Sequence, residues 1–131
     1  MADYTKLNLK RDVEDMAVKF ELSPGLESRF ARVPLALEHS GFSYFKIAPR
    51  FRVPFGHRHA VQEELYVIAS GSARLKLDDD VLELGQWDAV RIAPGTARGI
   101  EGGPDGAELL AFGAPNTDNK DMEMLPDWWS D

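Results

Sequence analysis

Between residues 34 and 114 the chain breaks into short apolar runs that follow one another too closely for helices to intervene. The runs cover residues 35–38, 42–47, 51–55, 65–69, 73–77, 81–84, 89–92 and 108–112. Turn chemistry separates them: Ser70-Gly71-Ser72, Asp78-Asp79-Asp80, Gly85-Gln86, Pro94-Gly95 and the stretch from Gly102 to Gly106. Many short strands at close, even spacing predict an all-β sandwich or barrel built from antiparallel strands. Pro54 puts its own run near a sheet edge or a bend, because proline has no amide to donate to a ladder.

The ends of the chain read differently. Val13, Met16, Ala17 and Phe20 have helical spacing with Asp12 as a candidate N-cap, so a helix is predicted over residues 12–20. Ser23 and Pro24 mark the start of a second short helix carrying Leu26 and Phe30 on one face. The predicted organisation is an N-terminal helical or extended arm over residues 1–33, a β-barrel over 34–115 and a tail over 116–131. Trp128-Trp129 makes that tail too apolar to dangle, so it is expected to pack on the barrel or on a second subunit.

At 131 residues the expectation is one domain. Twenty-two acidic against 15 basic side chains leave a net charge of −7, which argues against nucleic acid or an anionic membrane as partner. Without cysteine there are no disulfides, no thiolate ligands and no thiol nucleophile. No long apolar span occurs and the first ten residues lack the apolar core of a signal peptide, so a cytoplasmic location is expected.

Chemistry concentrates at His57-Arg58-His59. In an extended strand residues i and i+2 project from one face, so both imidazoles can converge on a point. Ala60-Val61-Gln62 can turn the chain, and the returning strand places Glu64, Tyr66 and Ile68 on a shared face, with Gly71 closing it at a turn. Two neutral imidazoles and a carboxylate form a serviceable ligand set for Zn, Fe, Mn or Ni.

These residues resemble the cupin family. Its first motif, His-x-His, three or four residues, Glu, six residues, Gly, is matched by His57, His59, Glu64 and Gly71, and the Glu-to-Gly spacing selects Glu64 over Glu63. Pro54-Phe55-Gly56 looks like the usual lead-in, although Phe51 stands where the motif has an earlier glycine. The tract from Val81 to Gly95 is similar to the start of the second motif, and the resemblance covers residues 42–114. It implies a small single-domain cupin: a jelly-roll barrel of six to eight strands, commonly a homodimer, with His57, His59 and Glu64 as metal ligands. The second motif departs from the pattern, because its histidine position is Arg98 and its closing asparagine position is Gly102. Arginine is permanently charged and offers only donors, so it cannot be the fourth ligand.

Arg98 either points into the barrel mouth, where it would hold a carboxylate or phosphate by a bidentate fork or pair with Glu64, or faces solvent. Tyr44, Tyr66, Trp87 and Phe112 are candidates to line the pocket or plain core residues; Tyr44 and Tyr66 join Arg98 as the substrate-binding candidates. Arg50, Arg52 and Arg58 read as an anion-steering group or a solvent face, His39 as a loop residue, and Asp78-Asp79-Asp80 as an acidic hairpin turn. Three functions follow as expectations. The chain is a metal-dependent enzyme of oxygenase, isomerase or lyase type acting on a small anionic molecule, with a divalent Fe, Mn, Ni or Zn cofactor. Alternatively it is a non-catalytic, metal-free small-molecule binding or sensing cupin, or an interaction module whose tail serves dimerisation.

Overall fold

A computed structural model describes residues 1–130. The elements are α1 (Leu9–Asp12), β1 (Leu26–Phe30), α2 (Arg32–Leu35), β2 (Gly41–Ile47), β3 (Gly56–His59), β4 (Glu63–Leu77), β5 (Asp80–Leu84), β6 (Ala89–Ile92), β7 (Arg98–Ala114) and β8 (Met122–Leu125). All eight strands join one curled sheet, and every pairing is antiparallel. The order β1-β2-β7-β3-β8 forms one path, while β4 pairs with β5, β6 and β7. The all-β architecture predicted from the turn pattern is the one observed.

The long strands β4 and β7 organise it. They pair along most of their length, with register shifts between Ile68 and Ser70 and between Gly71 and Ala73. Ser70-Gly71-Ser72 and the Gly102 to Gly106 stretch, whose composition predicts turns that end strands, are instead irregularities inside two continuous strands. There the sheet bends without losing its pairing. Gly71 and Gly106 both have φ of 75°. A Cβ at Gly71 would lie 2.0 Å from the Gly106 carbonyl oxygen, so the corner requires glycine both for conformation and for approach.

Side chains alternate across these strands. Tyr66, Ile68, Leu75, Ile92 and Leu109 are buried in the main core cluster. A second cluster of Ala17, Leu26, Ile47 and Val53 closes the end covered by the N-terminal segment. Tyr44 lies on the opposite face of β2 from Phe45 and Ile47; its hydroxyl donates to Glu108 Oε2 at 2.6 Å, with Lys10 4.5 Å above its ring.

The N-terminal helices are where the structure departs from the sequence pattern. The helix predicted over residues 12–20 does not form; α1 lies before it and ends at Asp12, capped by the Asn8 side chain, which accepts from the Lys10 and Arg11 amides. Beyond it, Asp15 Oδ1 accepts from the amides of Ala17 and Ser28, and Met16 N donates to Ser28 O at 2.7 Å. A short carboxylate that captures nearby amides competes with helix, and here it fastens the segment to β1. Residues 23–30 do not form a helix either: β1 pairs with β2 from Leu26↔Ile47 to Phe30↔Ser43. The Leu26/Phe30 pair is ambiguous because a four-residue interval fits one turn of helix and two repeats of a strand equally well. Residues 35–38 end a short helix and enter a loop through Ala36 at φ 59°, and do not form a strand.

Replacing Gly71 with Ala is expected to destabilise the protein by about 2 kcal/mol or more, since a side chain must occupy both a left-handed conformation and the space of a carbonyl. Gly85→Ala, whose Cβ would meet nothing nearer than Asp88 Oδ2 at 3.9 Å, is the control expected to change little. Chemical denaturation of the two variants beside the parent checks this.

Candidate metal and anion site

Strand β3 is brief because Pro54 precedes it and the turn at residues 60–62 follows it. It lies between β7 and β8, with His57 opposite Arg98 on one side and Met124 on the other. Alternation sends His57 and His59 inward, while Arg58 faces out and pairs with Glu123 across the strand at 2.7 Å. On β4 the same alternation separates the two adjacent glutamates. Glu63 is exposed near Arg91, and Glu64 faces the cavity.

The inward groups converge. Glu64 Oε1 has His57 Nε2, His59 Nε2 and an Arg98 terminal nitrogen each at 3.6 Å. None of these separations is a hydrogen bond, and Glu64 Oε1 is buried without a hydrogen-bond partner. One donor atom each from His57, His59 and Glu64 lies within 4.8 Å of the other two. The two rings stand edge to face with centroids 5.2 Å apart.

Arg98 faces inward and its side chain is 1% exposed. Its three guanidinium nitrogens are buried without a hydrogen-bond partner, and its nearest counter-charge is Glu64. Burying a guanidinium without acceptors is costly.

Burial chiefly lowers the His57 pKa, helped by the charge of Arg98, and the Glu64 carboxylate only partly opposes this. The ring is therefore held neutral with a lone pair available. Burial pulls Glu64 the other way, yet the His57 ring and the Arg98 charge outweigh it and hold the carboxyl below its usual range. Tyr66 is buried beside them, and burial pushes its hydroxyl far up, so it stays protonated.

His59 is fixed from behind. Its Nδ1 lies 3.1 Å from Asp121 Oδ1, and Asp121 also accepts from the amides of Val61 and Gln62 and from the Thr117 hydroxyl at 2.6 Å. Burial opposes charge on Asp121, but these donors hold its carboxyl well below the ordinary range. With Nδ1 turned to a carboxylate, Nε2 is left facing Glu64, the arrangement by which a second carboxylate commonly orients a metal-binding imidazole. Asp121 carries no sequence signal: it is 62 residues from His59 in the chain, and only the pairing of β3 with β8 brings them together.

Above this floor opens a cavity of about 790 Å³, walled by Phe45, Ile47, Val53, Phe55, Ile100 and Leu109. His57, His59, Glu64, Tyr66 and Arg98 all line it. Tyr44 does not, because it points to the other face of β2 and is engaged by Glu108. Trp87 and Phe112 are also outside. Trp87 is 69% exposed at a positive-φ turn, and Phe112 stacks on Phe42 at 4.9 Å on the outer surface. Arg52 is held by Glu101 at 2.6 Å and lies over the Trp129 ring, while His39 is exposed in a loop. The Trp128-Trp129 tail packs on its own barrel. Trp129 Nε1 donates to Val53 O at 2.7 Å, and Trp128 covers Gly56 and Gly99, where a Cβ would come within 2.6 and 2.3 Å of its ring. No helix among the described residues is long and apolar enough to cross a membrane.

No family model matches the chain, and no curated protein matches it by sequence. Solved structures do. A cupin protein from Bacteroides fragilis is 26% identical, with 89% of this chain and 88% of that one covered and a TM-score of 0.71. A sugar phosphate isomerase from a cupin superfamily, from Silicibacter pomeroyi, is 17% identical over 86% of this chain and 76% of its own, with a TM-score of 0.68. Oxalate decarboxylase from Bacillus subtilis superposes with a TM-score of 0.77 at 19% identity; 98% of this chain covers 34% of that one.

Asp121→Ala strands two amides and a hydroxyl and frees the His59 ring. We expect a loss of about 2 kcal/mol, against about 1 kcal/mol for Thr117→Val, which removes a single donor. Denaturant melts of both variants measure the difference.

Proposed function

Given that the chain is a small cupin-fold protein, we propose that its barrel is a metal-dependent site for a small anionic molecule. His57, His59 and Glu64 would hold a divalent ion, and Arg98 would hold the anionic group of the ligand. The observation that carries this reading is the buried guanidinium of Arg98, without hydrogen-bond partners, 3.6 Å from the same carboxylate oxygen that both histidines approach. The donor set suits the group. A buried carboxylate oxygen lacks a partner, one imidazole is held neutral, and the other is oriented by Asp121. A bound Fe, Mn, Ni or Zn ion supplies Lewis-acidic charge at the cavity floor.

The chain's own residues supply the rest. Arg98 orients the ligand by a planar fork of donors, Asp121 keeps the His59 ring in place, and the apolar wall excludes water, which strengthens each polar contact at the floor. Family likeness does not choose between isomerase, lyase and oxygenase chemistry, because the site and not the barrel decides the reaction. One observation favours a second reading, a metal-free binding or sensing protein. Arg98 and Glu64 form an ion pair at 3.6 Å in which each offsets the other's charge without any metal.

Metal content of tag-free protein decides between them. One divalent ion per chain is expected after soaking with Fe, Mn, Ni or Zn, and none in a His57→Ala, His59→Ala double variant. Absence of metal from both proteins would sink the enzyme reading. Because an ion added beside Arg98 leaves the floor positively charged, anion and metal should reinforce each other. Calorimetry is expected to show metal binding tightened about tenfold by a saturating anion, and anion binding tightened equally by metal.

A further inference from the structure

The floor of the cavity and its wall make different chemical demands, and together they describe one kind of occupant. We propose that the ligand is an apolar carboxylate, a carboxylate group on a compact aromatic or branched hydrocarbon body, seated with its two oxygens on Arg98 and its body against the wall. This deepens the preceding reading and rests on it.

The head group follows from Arg98. Five N–H donors in one plane, on a side chain 1% exposed and without hydrogen-bond partners, match a planar pair of acceptor oxygens. The neighbouring Glu64 is buried, with Oε1 3.6 Å from a terminal nitrogen of Arg98, so one acidic side chain already faces the guanidinium. With that acid of the ion pair so close, a carboxylate of single charge is accommodated more easily than a phosphate dianion.

The body follows from the wall. Between the floor and the rim the lining is mostly apolar, with Phe45, Val53, Phe55, Ile100 and Leu109, and Met16 and Phe30 further out. These side chains offer no hydrogen bonds, so the hydroxyls of a sugar would be stripped of water against them and left unpaired. Gln62 is the amide nearest the floor, and its Nε2 already donates to Pro115 O at 3.2 Å. Ser28 and Ser43 add two hydroxyls from β1 and β2, too few for the several hydroxyls of a sugar, and Arg32 pairs with Asp118 toward the solvent end with Asn116 nearby. A volume of about 790 Å³ exceeds what a bare two-carbon acid would fill. Unbranched, polarisable methionines in the lining, Met16 together with Met122 and Met124 across from His59 and His57, let it adapt to bodies of different shape.

Calorimetric titration of the whole chain, with and without added Mn, tests this with phenylacetate, hexanoate, acetate, phenylacetamide, inorganic phosphate and glucose 6-phosphate as probes. Phenylacetate and hexanoate are expected to bind, acetate about tenfold or more weakly for want of a body, and the neutral phenylacetamide about tenfold or more weakly for want of a charge. Arg98→Gln should bring phenylacetate down to the level of phenylacetamide and leave phenylacetamide unchanged. Arg98→Lys, which keeps the charge and loses the fork, should fall between. The comparison of acid with amide on the parent protein needs no variant, so it stands even if an Arg98 substitution does not fold. Tighter binding of phosphate or glucose 6-phosphate than of phenylacetate overturns the apolar carboxylate and leaves an anion site. Binding by none of the anions, with or without Mn, overturns the anion site and this inference together. Equal binding of acid and amide does the same for any role of Arg98's charge.

Discussion

The antiparallel pairing of β4 with β7 is the constraint on which the remaining structure depends. Each is more than twice as long as most of the other strands, and each changes direction at the same place, where Gly71 and Gly106 approach back to back. That shared corner lets one pair of strands serve two walls of the barrel. It also fixes the two ends that carry chemistry. Glu64 stands near the start of β4 and Arg98 at the start of β7, and β3 then docks beside Arg98 with both histidines facing in. A shift of one residue in this register would turn the inward side chains of one strand outward, and with them either Glu64 or Arg98, because side chains alternate with a period of two.

The same alternation explains what is legible from the residues alone. Wherever a strand has one buried face, its polar interruptions stand out, so spacing picks out the His57/His59 pair, while the resemblance to the cupin motif is what chooses Glu64 over Glu63. Their convergence needs only a turn between neighbouring strands. Glycines are harder. A Ser-Gly-Ser tract is the same string whether it ends a strand or bends one, and the distinction lies in a partner glycine 35 residues away in sequence that no local pattern reveals. The N-terminal segment misleads for a related reason. Its apolar residues have a helical interval, but Asp15 captures amides from two directions and β2 offers an edge for β1 to pair with. Tertiary hydrogen bonding outweighs a weak local propensity there. Asp121 and the cavity wall are invisible in the sequence because they are properties of distant pairings and not of any stretch of chain.

Arg98 is the residue at which fold and chemistry come into tension. A position that the cupin pattern gives to a metal-binding histidine here holds a fixed positive charge, yet both imidazoles, the carboxylate and the Asp121 support behind His59 are all in place. If the barrel had merely lost its chemistry, a buried arginine with no acceptor would be an expensive way to fill the space, and an aliphatic side chain would serve better. Retaining the charge makes physical sense where something else neutralises and hydrogen-bonds it. Glu64 alone does not meet that need, since at 3.6 Å it compensates charge but leaves every guanidinium nitrogen without a hydrogen bond. On the proposed reading the missing acceptors come from a molecule entering through the apolar cavity, whose own body must tolerate that cavity's wall. On that proposed reading, a position that would supply a fourth metal ligand instead supplies an anion anchor, so three ligands and a bound anion would each strengthen the other's binding.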